Sequence, residues 1–460
     1  MRWWFFVSFL VAITVTSLGL SFRLMNERID LTETNKEKVQ SFFSRLANSQ
    51  ISFAENGEIV FPDEKKFLNY KKNYIENEAS FVEVDLRKMI VSLYGRGLLL
   101  KTLPVTMKGR EGSWWETPTG NYKAILKERN HFSSIGKVWM PYSIQFYGNF
   151  FIHGLPYYEN GESVASSYTG GCVRLNTEDA KTVFDFVEKD MPILILDEEL
   201  KTDYYGYLEP REESPNLPSI SAKSFLISDL RTHEVILEKN ANEPLPMASI
   251  TKLMTGVVAS ELIYLERSIK ISSKMLESAY ESFPFSPEKR YTAFELFYPL
   301  LMQSSNGAAN ALASFIGQGE FVKKMNDKAI SLGMIDSSFQ DPSGIGDMNI
   351  STTHDISRLL QYIYYKRNFI FDITKGKKFI NFGPVELHTI TNFNDFYENE
   401  NLLGAKTGKT NKAKETLATV WNFKTPKGDV PISIIVFGSD NRRADVQKLV
   451  DWVRGNFKIL

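Results

Sequence analysis

The sequence predicts a multidomain chain, with one N-terminal transmembrane helix, then a mostly-β region, then a linker and an α+β region. Three observations carry this expectation. The 460 residues suffice for about three domains at roughly 150 residues each. An apolar run covers residues 3–20, interrupted only by Ser, Thr and Gly. The hydrophobic pattern then changes from short β-type runs to long helical ones across an acidic, proline-containing stretch at 197–219. A composition of 43% hydrophobic and 24% charged residues is that of an ordinary globular protein and argues against wholesale disorder. With 54 Lys and Arg against 55 Asp and Glu, the net charge of -1 gives no field that would draw in a polyanion, so nucleic acid is not an expected partner. The single cysteine, Cys172, excludes an intrachain disulfide and a paired-cysteine metal cluster.

Residues 1–24 open with Arg2 and Trp3-Trp-Phe-Phe-Val7 and have no Ala-x-Ala cleavage site, which reads as an uncleaved signal anchor close to the minimum length for spanning a bilayer. A signal peptide removed by cleavage is the alternative. Either way the chemistry is expected outside the cytoplasm, with the membrane as partner if the anchor stays. Residues 25–80 are rich in Lys, Glu and Asn, with a helical pattern over Lys36 to Ala47, and read as a stalk or accessory region. In 81–196, β-type runs at Met89 to Tyr94, Tyr142 to Phe146 and Phe150 to His153 are separated by Gly and Pro turns. Residues 197–218 have linker composition. In 219–460, strands are expected at Ser224 to Ser228 and Val235 to Leu237, helices over Ser249 to Arg267 and Ala293 to Ile316, and strands again at Thr416 to Trp421 and Ile432 to Phe437. No internal repeat is present.

Ser249-Ile-Thr-Lys252 follows Pro246 at a predicted helix start, and its i, i+3 spacing stacks hydroxyl and amine on one face. The lysine can act as base only if burial lowers its pKa. Alone the pattern is weak, because Ser134-Ile-Gly-Lys137 also fits it, just as Ser214-Pro-Asn216 fits the Ser-x-Asn of Ser304-Ser305-Asn306. Order and company decide: Ser249-x-x-Lys252, Ser304-x-Asn306 and Lys406-Thr407-Gly408 occur in succession, each on the expected element. A second nucleophile lies in Thr169-Gly-Gly-Cys-Val-Arg-Leu175, where glycines permit a tight turn and leave backbone amides near sulfur. His153, at the end of an apolar strand, is the base available to it. His131, His233, His354 and His388 have no ligand spacing, so no metal is expected, and no Gly-rich phosphate loop calls for a cofactor.

The three-part set, with Ala248-Ser-Ile-Thr-Lys-Leu-Met-Thr255, Asp341-Pro-Ser-Gly344 and Ser351-Thr-Thr-His-Asp355, resembles the D-alanyl-D-alanine carboxypeptidases, the low-molecular-mass penicillin-binding proteins of the S11 class, over about 219–457. The resemblance implies an α/β sandwich of the serine β-lactamase type. It implies Ser249 as acylated nucleophile, Lys252 as its base, Ser304 as proton relay to the leaving amine and Asn306 as holder of the substrate amide and of Lys252. Lys406 and Thr407 would bind the substrate carboxylate, Gly408 would permit close approach, and the amides of Ser249 and Lys409 would form the oxyanion hole. Gly307 stands where the family usually has Asp, and Asp341 where it often has Asn. No Glu-x-x-Leu-Asn segment lies between the second and third motifs, which favours a penicillin target over a penicillin destroyer. Thr117-Pro-Thr-Gly120 with Tyr122, Phe151-Ile-His-Gly154 and Gly170-Gly-Cys-Val-Arg174 resemble the L,D-transpeptidase catalytic domain, also called YkuD, over 81–196. Here the resemblance implies that His153 activates Cys172, that Arg174 orients substrate, and that amides near Gly171 and Cys172 hold the oxyanion. Gly170 replaces a common second His.

Together these imply an exported, bifunctional peptidoglycan enzyme. Its substrates would be wall stem peptides and its inhibitors β-lactams: the serine site trims a pentapeptide and the cysteine site uses the tetrapeptide to make 3-3 cross-links. Two alternatives stand beside it. One is an active carboxypeptidase whose cysteine domain is degenerate, acts as an L,D-carboxypeptidase or attaches a protein. The other is a non-catalytic wall-binding protein.

Overall fold

In the first half of the chain, alternation of apolar and polar residues with turn-forming glycines gives β structure, and the computed structural model arranges it as two sheets. It describes residues 70–164, 169–197, 217–277, 281–377, 379 and 390–460. The expected anchor, the helical pattern at Lys36 to Ala47 and most of the linker lie outside these residues. Among the described residues no helix is long and apolar enough to cross a membrane.

Strands β1 (Phe81–Asp85), β2 (Ile90–Gly95), β3 (Leu98–Pro104), β4 (Gly120–Lys123) and β9 (Pro192–Leu196) form one sheet in the order β3-β2-β1-β9-β4. Strands β5 (Leu126–Ser133), β6 (Val138–Tyr147), β7 (Phe150–His153) and β8 (Val173–Arg174) form the other in sequence order. Helix α1 (Thr177–Phe186), which the β-type reading did not anticipate, starts at an Asn176 cap that accepts from the Asp179 amide. The Ser134 to Lys137 decoy is a hairpin turn between β5 and β6.

In the second half, β10 (Ser224–Asp229) and β11 (Val235–Lys239) open a five-stranded antiparallel sheet. It is completed by β16 (Leu402–Thr410), β17 (Lys414–Thr425) and β18 (Gly428–Ser439), in the order β11-β10-β18-β17-β16. Two short pairs, β12 (Leu245–Pro246) with β15 (Ile350–Ser351) and β13 (Ser268–Lys270) with β14 (Arg290–Thr292), tie the loops. The helices are α2 (Thr251–Leu262), α3 (Ala293–Leu301), α4 (Asn306–Ser314), α5 (Gln318–Ser331), α6 (Thr353–Lys366), α7 (Phe369–Thr374) and α8 (Arg442–Asn456). Two predicted helices need correction. Ser249 precedes α2 in a 3-10 turn, and α2 ends at Leu262 instead of reaching Arg267. The run from Ala293 to Ile316 is broken into α3 and α4, because Ser304 takes a left-handed backbone (φ 60°) and Ser305 caps a new helix.

Every residue of α2 is buried, which suits its all-round apolar character. One end carries Lys252; near the other, Glu261 pairs with Lys328 (3.0 Å) and Arg367 (2.9 Å), all three fully buried. Tyr122, from β4 in the first half, receives a hydrogen bond from Lys328 at 3.2 Å, and the Lys328 amine lies over the Tyr147 ring. Lys366 pairs with Glu116 at 2.7 Å and with Asp197 at 2.5 Å. The buried apolar residues of the two halves form one continuous cluster. Both therefore belong to a single compact unit spanning 60–460. Glu261→Gln strips the carboxylate from two buried cations, so it is expected to lower stability by roughly 3–5 kcal/mol, read as a lower urea midpoint for the whole unit.

Candidate active sites

The serine site forms where α2, the α3–α4 turn and β16 meet. The 3-10 turn Ala248–Ile250 delivers Ser249, and the first turn of α2 places Lys252 Nζ 2.8 Å from Ser249 Oγ. The same amine donates to Asn306 Oδ1 (2.8 Å) and to the Ser343 carbonyl (2.6 Å). Those two partners can only accept, so a neutral amine spends its two N–H bonds on them and turns its lone pair to the Ser249 hydroxyl. Burial pushes Lys252 down to about 7, against the opposing fields of Asp341 and Glu281. The left-handed turn at Ser304 aims its hydroxyl at Lys406 Nζ, 3.1 Å away. Lys406 is fully buried on the edge strand β16 and also donates to the Thr407 carbonyl at 2.9 Å. Its pKa is held well below the usual lysine value by burial, with Lys252 and Arg442 adding to the effect. Gly408 is required by close approach: a Cβ there would lie 2.4 Å from Thr416 Oγ1 and 2.9 Å from the Ser249 amide nitrogen. The Lys409 side chain points away to Glu415 (2.9 Å) and is mostly exposed, so what Lys409 can offer the site is its backbone.

Two groups in this site, Glu281 and Arg442, were not read from the sequence, and a third, Asp341, was read only as part of a motif. Glu281 accepts from Ser305 Oγ at 2.6 Å. Asp341 accepts from the amides of Ser343 and Gly344 at 2.7 Å, shaping the loop whose Ser343 carbonyl meets Lys252. Arg442 donates to the Gly408 carbonyl at 3.2 Å while paired with Asp395. No local pattern marks Glu281 or Arg442, because each reaches the site across a long sequence separation.

The cysteine site rests on the parallel pairing of β7 with β8, in which Ile152 opposes Val173 and His153 opposes Arg174. Alternation sends Ile152 and Val173 into the core and brings Phe151, His153, Cys172 and Arg174 to the other face. Cys172 is buried among Val138, Met140 and Phe151, with Val164 packed on them. Its thiol donates to the Asn149 carbonyl (3.7 Å), and among the described residues no hydrogen bond joins it to His153. The imidazole Nδ1 is bonded to the Gly154 carbonyl at 2.6 Å, which makes Nδ1 the donor and leaves Nε2 as acceptor. Burial pushes the thiol up to about 11 and the imidazole down to about 4. Gly171 takes a left-handed φ of 105°, and a Cβ there would strike Phe150 at 2.2 Å. Its amide, expected to face an oxyanion, instead donates to Thr169 Oγ1 at 3.1 Å. Arg174 is buried, donates to Met107 Sδ at 3.1 Å, and has no acidic partner among the described residues.

One helix joins the two candidate sites. Asn149, whose carbonyl holds the Cys172 thiol, donates its side-chain amide to the Leu262 carbonyl at the end of α2 (3.1 Å). The 12 residues of α2 span about 18 Å, with the Ser249–Lys252 pair at the opposite end.

A serine paired with a buried lysine and backed by a second serine, an asparagine and a lysine on a sheet edge is the arrangement of the penicillin-recognising serine acyl-transfer class. The family model described as D-alanyl-D-alanine carboxypeptidase, Peptidase_S11, matches residues 211–441, and the chain belongs to that family. A second model, described as the L,D-transpeptidase catalytic domain, YkuD, matches residues 79–195. Among curated relatives, a D-alanyl-D-alanine endopeptidase of Escherichia coli (strain K12) is 30% identical over 51% of this chain and 78% of its own length. The D-alanyl-D-alanine carboxypeptidase DacF of Bacillus subtilis (strain 168) is 28% identical over 52% of this chain and 63% of its own. A solved D-alanyl-D-alanine carboxypeptidase from Mycobacterium tuberculosis H37Rv is 25% identical, with a TM-score of 0.47 over 54% of this chain and 96% of its own.

Two pH profiles follow from these geometries. Below about 7 Lys252 is protonated and cannot accept the Ser249 proton, so acylation of Ser249 by a penicillin is expected to climb about tenfold per pH unit and level off above it. Alkylation of Cys172 by iodoacetamide needs the thiolate, so its rate is expected to keep rising toward pH 11 with no plateau near neutrality.

Proposed function

We propose that the chain is a bifunctional peptidoglycan-remodelling enzyme of the cell envelope, working outside the cytoplasm on stem peptides and acylated by β-lactams. The observation that carries the serine half is the buried Lys252 amine 2.8 Å from Ser249 Oγ, with a pKa of about 7. Neutral Lys252 takes the hydroxyl proton as Oγ attacks the carbonyl of the penultimate D-Ala. The oxyanion lies between the backbone amides of Ser249 and Lys409. Ser304, bonded to Lys406, passes a proton to the departing amine of the terminal D-Ala, whose carboxylate is held by Lys406 and Thr407 beside Gly408. Asn306 orients the substrate amide. Water then hydrolyses the acyl-enzyme, and a tetrapeptide remains.

The cysteine half would use that tetrapeptide. His153 Nε2 removes the Cys172 proton, the thiolate attacks the carbonyl of the third stem residue, and terminal D-Ala leaves with a proton. An acceptor amine resolves the thioester as a 3-3 cross-link. Arg174, buried and with no carboxylate partner among the described residues, supports an oxyanion or a substrate carboxylate, with the amides near Gly171 and Cys172 as further donors. The ranges 1–24, 25–80, 81–196, 197–218 and 219–460 are proposed as anchor, accessory region, L,D-transpeptidase domain, linker and carboxypeptidase domain. Membrane attachment through residues 1–24 is part of this reading.

A specific observation favours a second reading. The thiol is bonded to a carbonyl, with thiol and imidazole both neutral at physiological pH, and this also suits a cysteine domain that is degenerate or confined to L,D-carboxypeptidase or protein-attaching work.

The test is mass spectrometry of a pentapeptide muropeptide incubated with wild type, Cys172→Ala and Ser249→Ala. Cys172→Ala should stop at tetrapeptide with free D-Ala, Ser249→Ala should leave pentapeptide intact, and only wild type should give dimer. Dimer formation by Ser249→Ala would break the proposed order of steps. Persistence of pentapeptide in all three samples would leave a binding protein. Cleavage of preformed cross-links in place of D-Ala release would make the serine half an endopeptidase.

A further inference from the structure

The α3–α4 turn has to hold two side chains in opposite duties, Ser304 toward Lys406 and Asn306 toward Lys252. It does so with Ser304 in the left-handed region (φ 60°), which costs a non-glycine residue free energy and persists only if its surroundings enforce it. The enforcing group is a carboxylate from another loop. Glu281 Oε1 accepts from Ser305 Oγ (2.6 Å) and from the amides of Ser282 (3.0 Å) and Phe283 (2.9 Å), and Oε2 accepts from the Gly307 amide. Ser305 in turn uses its oxygen to cap the Ala308 amide at 2.9 Å. The two loops are stitched again by Ser282 Oγ to the Gln303 carbonyl, 2.7 Å. Four donors converge on one side chain that must only accept, which is the property of an ionised carboxylate and of no neutral side chain.

Gly307 completes the observation. A Cβ at this position would lie 2.7 Å from Glu281 Oε2 and 2.8 Å from Leu276 Cδ2. The space that a side chain on Gly307 would enter is the space that the Glu281 carboxylate fills.

We propose that Glu281 is a positioning residue of the serine site, supplying from a separate loop the carboxylate that locks Ser304-Ser305-Asn306, and that positions 281 and 307 can each furnish that carboxylate but not both at once. The proposal rests on the serine-site reading above. Glu281 touches no reacting atom. It acts through the aim of Ser304 and Asn306, and its charge opposes the lowering of the Lys252 pKa by burial.

The experiment is a double-mutant cycle on the full chain. It measures D-Ala release from a pentapeptide stem by Glu281→Ala, Gly307→Asp and the double variant, with Ser249→Ala as reference. Glu281→Ala should lose about 10- to 100-fold in kcat with KM little changed, because the relay and the amide holder are misaimed. Gly307→Asp alone should also lose activity, since its side chain collides with the Glu281 carboxylate and two like charges crowd one site. The double variant should recover to within about threefold of wild type. The acid limb of kcat/KM should move to lower pH in Glu281→Ala, where a charge favouring protonated Lys252 is gone, and return in the double variant. Wild-type kcat and an unmoved acid limb in Glu281→Ala, or a double variant as impaired as the product of the two single losses, would overturn the proposal. If Glu281→Ala shows no cooperative thermal transition, Glu281→Gln carries the test: it keeps shape and an acceptor oxygen, so a shifted acid limb supports the proposal and an unshifted one overturns it. Retention of D-Ala release by Ser249→Ala would instead sink the serine-site reading, a result distinct from failure of the Glu281 proposal.

Discussion

Removal of the Lys252 amine from water is the constraint on which the rest of the serine site depends. An ammonium in that position would gain from Ser249, Asn306 and Ser343 but lose its hydration, and the loss brings its pKa to about 7. Keeping it dry requires a helix buried on every side, and α2 is that helix. Such a helix must be gripped from outside by other elements. Lys328 and Arg367 grip it through Glu261, and the cysteine half grips it directly through Asn149 and indirectly through Tyr122, which is bonded to Lys328.

The same physical effect has opposite consequences at the two nucleophiles. For a lysine, desolvation favours the neutral, basic form and brings the group toward working pH. For a thiol it favours the neutral, unreactive form and takes Cys172 away from it, to about 11, while His153 is also held neutral near 4. Burial thus brings Lys252 toward neutrality near working pH, whereas Cys172 and His153 both rest in their neutral forms. Burial among the apolar side chains of Val138, Met140 and Phe151 keeps the resting thiol inert.

Joining both halves through α2 and a shared apolar cluster makes the chain one compact unit over 60–460. The Asn149 carbonyl that holds the thiol belongs to a residue anchored on the last carbonyl of the helix whose first turn holds Lys252. The stability of each site is therefore not independent of the other half.

The sequence by itself determined the family of the serine half, the motif order that marks its candidate site, and the strands at Phe150 to His153, Ser224 to Ser228 and Ile432 to Phe437. These are legible because a motif or an alternation is a local property of neighbouring residues. It misjudged the break at Ser304, since an apolar run of helical period gives no sign that a serine within it will turn left-handed. Glu281 and Arg442 were silent for another reason: their roles come from partners brought together only by folding. Protonation was likewise decided by the tertiary structure. The residue types Lys252, His153 and Cys172 name what can titrate, but the direction in which each pKa moves depends on how much water the packed chain leaves around it.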